Sequence, residues 1–343
     1  MKRWSVPAFA ILMCFAISVA ADAESLTQIA QPLDRAEDWE ELVTDAGWSL
    51  GECTPYAEGS DILVCDWGSY PSIDGSTVSV PLGMELARQL LRLPEEDLTG
   101  FVSFSTTPNA YDRLLLRQAN TDATLVSRNA VMDQTHPVDL ILVTEPSEDE
   151  LALAKENGVE LSIVPFCYDA FVFLVNVENS VDDLSSDQIR RIYTGQIDEW
   201  SQVSDAQGPI YAYQRTRNSG SQTVMENMVM KGLRLTAAQP NEVTDGMSEL
   251  VEHIGDYTNG RYALGYSFLY YVTSLYPDDA VKVLSVDGVT PTEDTIRSGA
   301  YPYTVHYYAV YRKDDADTAA FVDWLTGSEG QFCVRQAGYI TLY

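Results

Sequence analysis

Apolar residues along this chain recur at two spacings, and stretches of the two kinds alternate. Leu82, Leu86, Leu90 and Leu93 share one face at the helical period, so Val78–Leu93 is predicted as a helix. Shorter runs rich in β-branched and aromatic residues read as strands: Gly100–Ser105, Val138–Val143, Phe171–Asn176, Pro209–Gln214, Ala263–Tyr270, Val281–Val286 and Thr304–Arg312. Between them Asn109–Gln118, Glu148–Asn157, Ser185–Tyr193, Ser219–Lys231 and Ala316–Gln331 read as helices, with Ser185 or Ser186 as a cap. Strands alternating with helices predict α/β architecture with mostly parallel sheets.

The N-terminus follows a different pattern. Met1–Lys2–Arg3, an apolar stretch from Trp4 to Ala20 and then Ala21–Asp22–Ala23 form a secretory signal peptide over residues 1–23. A membrane anchor is the alternative, but the stretch lacks the ~20 clean apolar residues that a spanning helix needs. Cys14 follows Met13, not the small residue of a lipoprotein signal, so no lipidation is expected. Residues 24–70 form an acidic extension with Trp39, Trp48 and Trp67, a short helix near Asp38–Ala46 and a Cys-bounded hairpin. The remaining length suffices for two lobes with cores of their own.

Charge changes the expected chemistry. The chain carries 21 Lys+Arg against 51 Asp+Glu, a net −30. Removing the signal takes away Lys2 and Arg3 against Asp22 and leaves the chain slightly more acidic still. Such a field disfavours nucleic acid and anionic membranes as partners, and it favours solubility. An anion site would have to be built locally, from backbone N–H groups and one or two arginines. Four cysteines remain after the signal. Their even number in an exported chain suggests disulfides, with Cys53–Cys65 as the short loop and Cys167–Cys333 as the long-range pair. A buried free thiol at Cys167, inside an apolar strand, is the alternative. No C-x-x-C occurs, and His136, His253 and His306 are scattered, so neither zinc nor another cofactor is implied.

Helix N-termini supply unsatisfied donors and the positive end of a dipole. Three junctions rich in Gly, Ser and Thr precede predicted helices: Asp74–Gly75–Ser76–Thr77, Ser105–Thr106–Thr107–Pro108, and Arg215 through Ser219–Gly220–Ser221. Each alone reads equally as a helix cap. The third adds Arg215, a planar fork of donors suited to tetrahedral oxyanions, and Gly220, which permits close backbone approach. A surface salt bridge is the alternative for Arg215.

At these residues the sequence resembles the PstS-like phosphate-binding proteins of ABC importers, over about Ile73 to Leu342. Pro165–Asn176 resembles that family's crossing strand. Leu184–Ile197, with Ile192–Tyr193–Thr194–Gly195, resembles its helix and "IYTG-x-I" turn, followed by Asp198–Glu199–Trp200. Ala263–Tyr266, Val286–Thr292, Gly299–Pro302 and Gly327–Gln331 with Gly338–Tyr339 continue the pattern. The resemblance implies a two-lobed periplasmic-binding-protein fold of type II. Each lobe would be a mostly parallel sheet flanked by helices, and crossing strands would join them. Lobe 1 would be residues 71–168 and 263–343, and lobe 2 residues 169–262. It also implies phosphate ligands at Ser76 and Thr77, at Thr106 or Thr107, at Thr144, and at Arg215, Ser219, Gly220 and Ser221. Three departures stand out. Thr144 replaces an aspartate that accepts the ligand's proton in some members. Glu145 beside it is expected to face solvent. Arg217 sets a second positive charge beside Arg215, where an acidic partner is common.

The implied function is capture of phosphate or a similar oxyanion and delivery to an ABC permease, by a monomer in the periplasm or outside the cell. No catalytic residue is assigned. The alternatives are a secreted phosphatase and a sensor or surface protein of the same fold.

Overall fold

The computed structural model describes residues 54–55, 63–64, 70–91, 93, 95–102, 104–116, 138–238, 242–256 and 260–343. The signal peptide, the helix expected at Asp38–Ala46, Cys53, Cys65 and His136 lie outside them. Thr54–Pro55 and Leu63–Val64 pair antiparallel, which agrees with the expected hairpin.

The main fold begins with β1 (Ile73–Gly75), a 3-10 turn over Thr77–Ser79 and α1 (Val80–Leu90). Next come α2 (Glu95–Phe101), α3 (Thr107–Leu116), β2 (Leu140–Val143) and α4 (Glu148–Glu156). A single 16-residue strand, β3 (Leu161–Asn176), leads to α5 (Ser186–Tyr193). Then follow β4 (Tyr211–Ala212), β5 (Gln214–Arg215), α6 (Gly220–Val224, continued by a π turn over Met225–Met230), β6 (Val243–Thr244) and α7 (Met247–Gly255). The chain closes with β7 (Ala263–Phe268), β8 (Val281–Val283), α8 (Glu293–Arg297), β9 (Thr304–Arg312), α9 (Ala316–Thr326) and α10 (Ser328–Gln336).

Seven strands form one sheet, six of them in the order β1-β2-β9-β3-β7-β4 and the seventh, β8, off this path on β3. Within this sheet the expectation of mostly parallel pairing is corrected: its parallel pairs are β1–β2 and β4–β7, toward the two ends. The centre is antiparallel, because β3 runs out from one half and β9 runs back beside it. From Leu161 to Ala170 β3 pairs with β9, and from Phe171 to Leu174 with β7. One long strand therefore belongs to both halves of a two-lobed α/β fold, and from Asp169 to Asn176 every residue of it is buried. Strands covered on both faces read as continuous apolar runs rather than alternating ones, as Phe171–Val175 does. The β3–β9 register shifts between Tyr307 and Tyr308, opposite Cys167 and Pro165. Proline has no N–H to give a ladder and is tolerated at such a bulge.

Where β3 changes partner, Asp169 joins the crossing segments. Its carboxylate accepts from the Tyr307 hydroxyl at 2.6 Å and the Ala170 and Tyr270 amides at 2.7 and 3.2 Å. Burial pushes this carboxyl up to about 6, against the pull of those donors.

Two further expectations are corrected. Where Gly100–Ser105 is expected as a strand, α2 runs to Phe101, and Ser105 spends its amide on the Asp74 carboxylate rather than on a ladder. Cys167 and Cys333 are free thiols, both buried, so the expected long-range disulfide is absent. Cys167 sits on β3 among Asp169 and Tyr307, whereas Cys333 on α10 faces Glu85 and Arg88, and burial raises both thiols' pKa values.

Candidate functional site

Between the two halves lies a cleft of about 240 Å³, smaller than the roughly 300–1,000 Å³ of pockets that hold drug-sized ligands. Ser76, Thr77, Thr106 and Thr107 line one side, and Arg215, Ser219, Gly220 and Ser221 the other. Eight of the nine residues expected from the sequence thus converge on one space. The ninth, Thr144, is buried but is not part of that lining.

Each wall is made the same way, by a short strand that ends as a helix begins. On one side β1 delivers Ser76 and Thr77 into the turn before α1, and α3 starts at Thr107. Thr106 is held at φ 79°, a left-handed conformation that a β-branched residue rarely adopts. Amides in the first turn of a helix have no intrahelical acceptor, so both loops offer donors to the cleft.

On the other side, β5 pairs in parallel with β6 and sets Arg215 opposite Thr244. The Arg215 amide donates to Tyr266 Oη at 3.0 Å and Gln222 Oε1 at 3.1 Å. Its side chain donates from Nε to the Thr244 carbonyl at 3.2 Å and from Nη2 to the Asp245 carbonyl at 2.8 Å. Nη1 reaches Ser221 Oγ at 3.2 Å. A guanidinium carries more N–H donors than these bonds use. Arg215 is 8% exposed, and among the described residues no carboxylate forms an ion pair with it. Burial lowers its pKa, partly offset by Tyr266, Tyr271 and Asp245, and arginine starts so high that it stays charged. A buried cation with no direct ion pair is costly, and the charges of Asp245 and Glu249 offset only part of the burial.

Gly220 is needed where it stands. A Cβ there would overlap Thr144 Oγ1 and meet Thr107 Oγ1 at 3.4 Å, both from the facing half. Thr144 Oγ1 is buried with no hydrogen-bond partner. Thr144 thus packs on the backbone at Gly220 instead of lining the cavity.

Both neighbouring expectations change. Arg217 does not double the positive charge in the cleft: its side chain is 78% exposed and pairs with Asp149 at 2.8 Å. Asn218 Nδ2 donates to the other Asp149 oxygen at 3.1 Å. Glu145 is half-buried, not turned to solvent, and accepts from Asn227 Nδ2 at 3.3 Å. Both contacts link the segment around α6 to the segment around α4, across the cleft.

The sequence reading missed the loop before α7. Asp245, Gly246, Met247 and Ser248 line the cleft, with Phe268 and Tyr271. It is a fourth Gly- and Ser-bearing strand-to-helix junction, but its strand is only Val243–Thr244, too short for a periodic signal. His253 stacks on Tyr213 at 5.1 Å and His306 packs on Tyr168 at 4.4 Å, neither on the cleft lining. Among the described residues no helix is long and apolar enough to cross a membrane.

Comparison with known proteins agrees with this geometry. A family model described as a PBP superfamily domain matches residues 117–329. The chain is 25% identical over 191 residues to the phosphate-binding protein PstS of Borreliella burgdorferi, covering 54% of this chain and 67% of that one. It is 32% identical over 170 residues to the phosphate-binding protein PstS of Bacillus subtilis, covering 48% and 53%. The chain thus spans between half and two thirds of those relatives. Among solved structures, a Clostridium perfringens protein assigned as a phosphate ABC transporter substrate-binding protein, with bound phosphate, superposes at a TM-score of 0.57. The identity is 23%, and the match covers 80% of this chain and 99% of that one. An ABC-type phosphate transport receptor from Vibrio cholerae superposes at 0.54 with 21% identity, covering 79% and 100%. At these identities the superpositions speak for the fold.

Proposed function

The chain belongs to the PBP superfamily, and from that premise we propose that it is an exported binding protein that encloses phosphate, or a similar tetrahedral oxyanion, and delivers it to an ABC importer. Arg215 carries this reading: a buried guanidinium with spare donors and, among the described residues, no carboxylate in direct ion pair with it, on a cleft sized for a small ion. The names of the relatives, phosphate-binding proteins and phosphate transport receptors, point to phosphate as the ion.

In this proposal residues 71–168 with 263–343 form one lobe and residues 169–262 the other. The first contributes donors from Ser76, Thr77, Thr106 and Thr107, and the second contributes Arg215 with Ser219, Gly220 and Ser221. Closing the lobes exchanges the ion's water shell for these donors. Charge-assisted hydrogen bonds from Arg215 are the strongest of the set. The closed form is then the shape that a membrane permease recognises, the hinge logic of two-lobed receptors. Residues 1–23 direct export, and the mature monomer works in the periplasm or outside the cell.

Binding without turnover separates this reading from a secreted phosphatase. Calorimetric titration of the purified protein with phosphate, sulfate and arsenate at two pH values is expected to show saturable one-to-one binding of phosphate. A chromogenic phosphate ester is expected to stay intact. Hydrolysis of the ester, or no heat with any of the three ions, contradicts the proposal.

A further inference from the structure

The two loops on the Thr77 side of the cleft come from different parts of the chain, and one buried carboxylate ties them together. Asp74 is fully buried at the end of β1. Its Oδ1 accepts from the amide of Gly75 at 2.7 Å and from the amide of Ser105 at 2.6 Å. Its Oδ2 accepts from the Ser105 hydroxyl at 2.5 Å and from Arg113 Nη1 at 2.5 Å. Gly75 leads directly into Ser76 and Thr77, and Ser105 leads directly into Thr106 and Thr107.

We propose that Asp74 is a positioning residue for the oxyanion site: by holding Gly75, Ser105 and Arg113 on one carboxylate, it fixes the two donor loops at the spacing the ligand needs. This rests on the oxyanion reading of the cleft. Three observations carry it. The carboxylate uses both oxygens, so its orientation and that of both loops are locked together. The strained residue of the cleft, Thr106 at φ 79°, lies directly after Ser105. Backbone strain of this kind persists only where the surroundings over-determine it, and Ser105 is held at its amide, its hydroxyl and its carbonyl, the last by Asn109 Nδ2 at 2.8 Å. Finally, the ion pair with Arg113 neutralises a negative charge that would otherwise sit two residues behind the proposed anion site.

Charge and geometry predict opposite signs. Replacing Asp74 with Asn removes a negative charge and frees the Arg113 guanidinium, so Coulomb attraction alone would tighten anion binding. Loss of the tether loosens the loops and weakens it.

The test is calorimetric titration with inorganic phosphate of the wild type, Asp74→Asn and Ser105→Ala. Each is measured at a temperature where its own melting curve shows it folded, so that lost stability by itself leaves the Kd unmoved. Ser105→Ala keeps the carboxylate, the ion pair and the backbone tether and removes one hydroxyl, so it reports even where Asp74→Asn does not fold. The expected result is a Kd raised roughly tenfold or more in Asp74→Asn and roughly threefold in Ser105→Ala, the scale of lost hydrogen bonds. Normal binding by the wild type with unchanged or tightened binding in both variants overturns the positioning role and leaves the phosphate reading intact. A wild type silent to phosphate, sulfate and arsenate overturns both.

Discussion

Gly220 and Glu150 show how single side chains set the limits within which the cleft works. Gly220 lies under Thr144 and Thr107 of the facing half, and a methyl group has no room there. Gly220→Ala is therefore expected to hold the halves apart and to weaken phosphate binding by on the order of tenfold or more, with little change in melting temperature; calorimetry and a thermal melt read the two effects. Glu150 caps α4 reciprocally with Ser147, accepting its amide at 2.6 Å. Burial is the main cause that pushes its carboxyl up to about 7 from an ordinary 4.5. A carboxyl whose folded pKa lies above its unfolded one binds its proton more tightly when folded, so stability is lost as pH rises from about 4.5 through about 7. Thermal stability is expected to be higher near pH 5 than near pH 8, by on the order of 2 kcal/mol from this group. Asp169, raised to about 6, contributes with the same sign. Glu150→Gln keeps the cap acceptor without the ionisation, and is expected to flatten that part of the profile; an unchanged slope contradicts the assignment.

At the level of elements, the informative comparison is between strands that were legible and strands that were not. Thr304–Arg312 runs as expected because both ends are marked by turns and its residues alternate between partly and fully buried positions from Thr304 to Ala309. Val281–Val286 divides into two short strands with different partners, Asn176–Leu174 and Asp183–Leu184. Pairing is a tertiary property that a local pattern does not carry. Gly100–Ser105 read as a strand on composition, yet among the described residues β1 pairs only with β2 and none of the segment joins a ladder. For the helices, Ala316–Gln331 is broken at Gly327, which serves both as the C-cap of α9 and as the N-cap of α10. The helix α7 was missed although Met247, Leu250, Val251 and Ile254 follow helical spacing, and with it went the Asp245–Ser248 wall of the cleft. The other walls were legible because anion donors favour Gly, Ser and Thr before a helix. Asp74 was not, since nothing local marks a carboxylate whose partners lie 31 and 39 residues away.

Across the whole molecule, charge and closure work at different ranges. A net charge of −30 repels anions from a distance, while in the proposed site one buried guanidinium would attract them. Added salt screens the repulsion within a Debye length of about 8–10 Å at ordinary ionic strength, so phosphate association is expected to speed up as salt rises, which stopped-flow measurement reads; slower association in salt would mean that local attraction dominates the approach. Arg217 and Asn218 grip both oxygens of Asp149 across the cleft, an exposed clasp distinct from the ligand donors. Arg217→Asp is expected to speed phosphate release roughly two- to fivefold, in line with exposed ion pairs, and adding Asp149→Arg should restore it. Failure of the second substitution to restore the rate would show that the pair does not hold the closed form.

The central claim is that an oxyanion completes the buried charge of Arg215. Phosphate titration of Arg215→Ala beside the wild type tests it most directly. Affinity is expected to fall by more than roughly a hundredfold, about 3 kcal/mol for lost charge-assisted hydrogen bonds, with the fold retained. Phosphate binding by Arg215→Ala at the wild-type Kd would contradict the account.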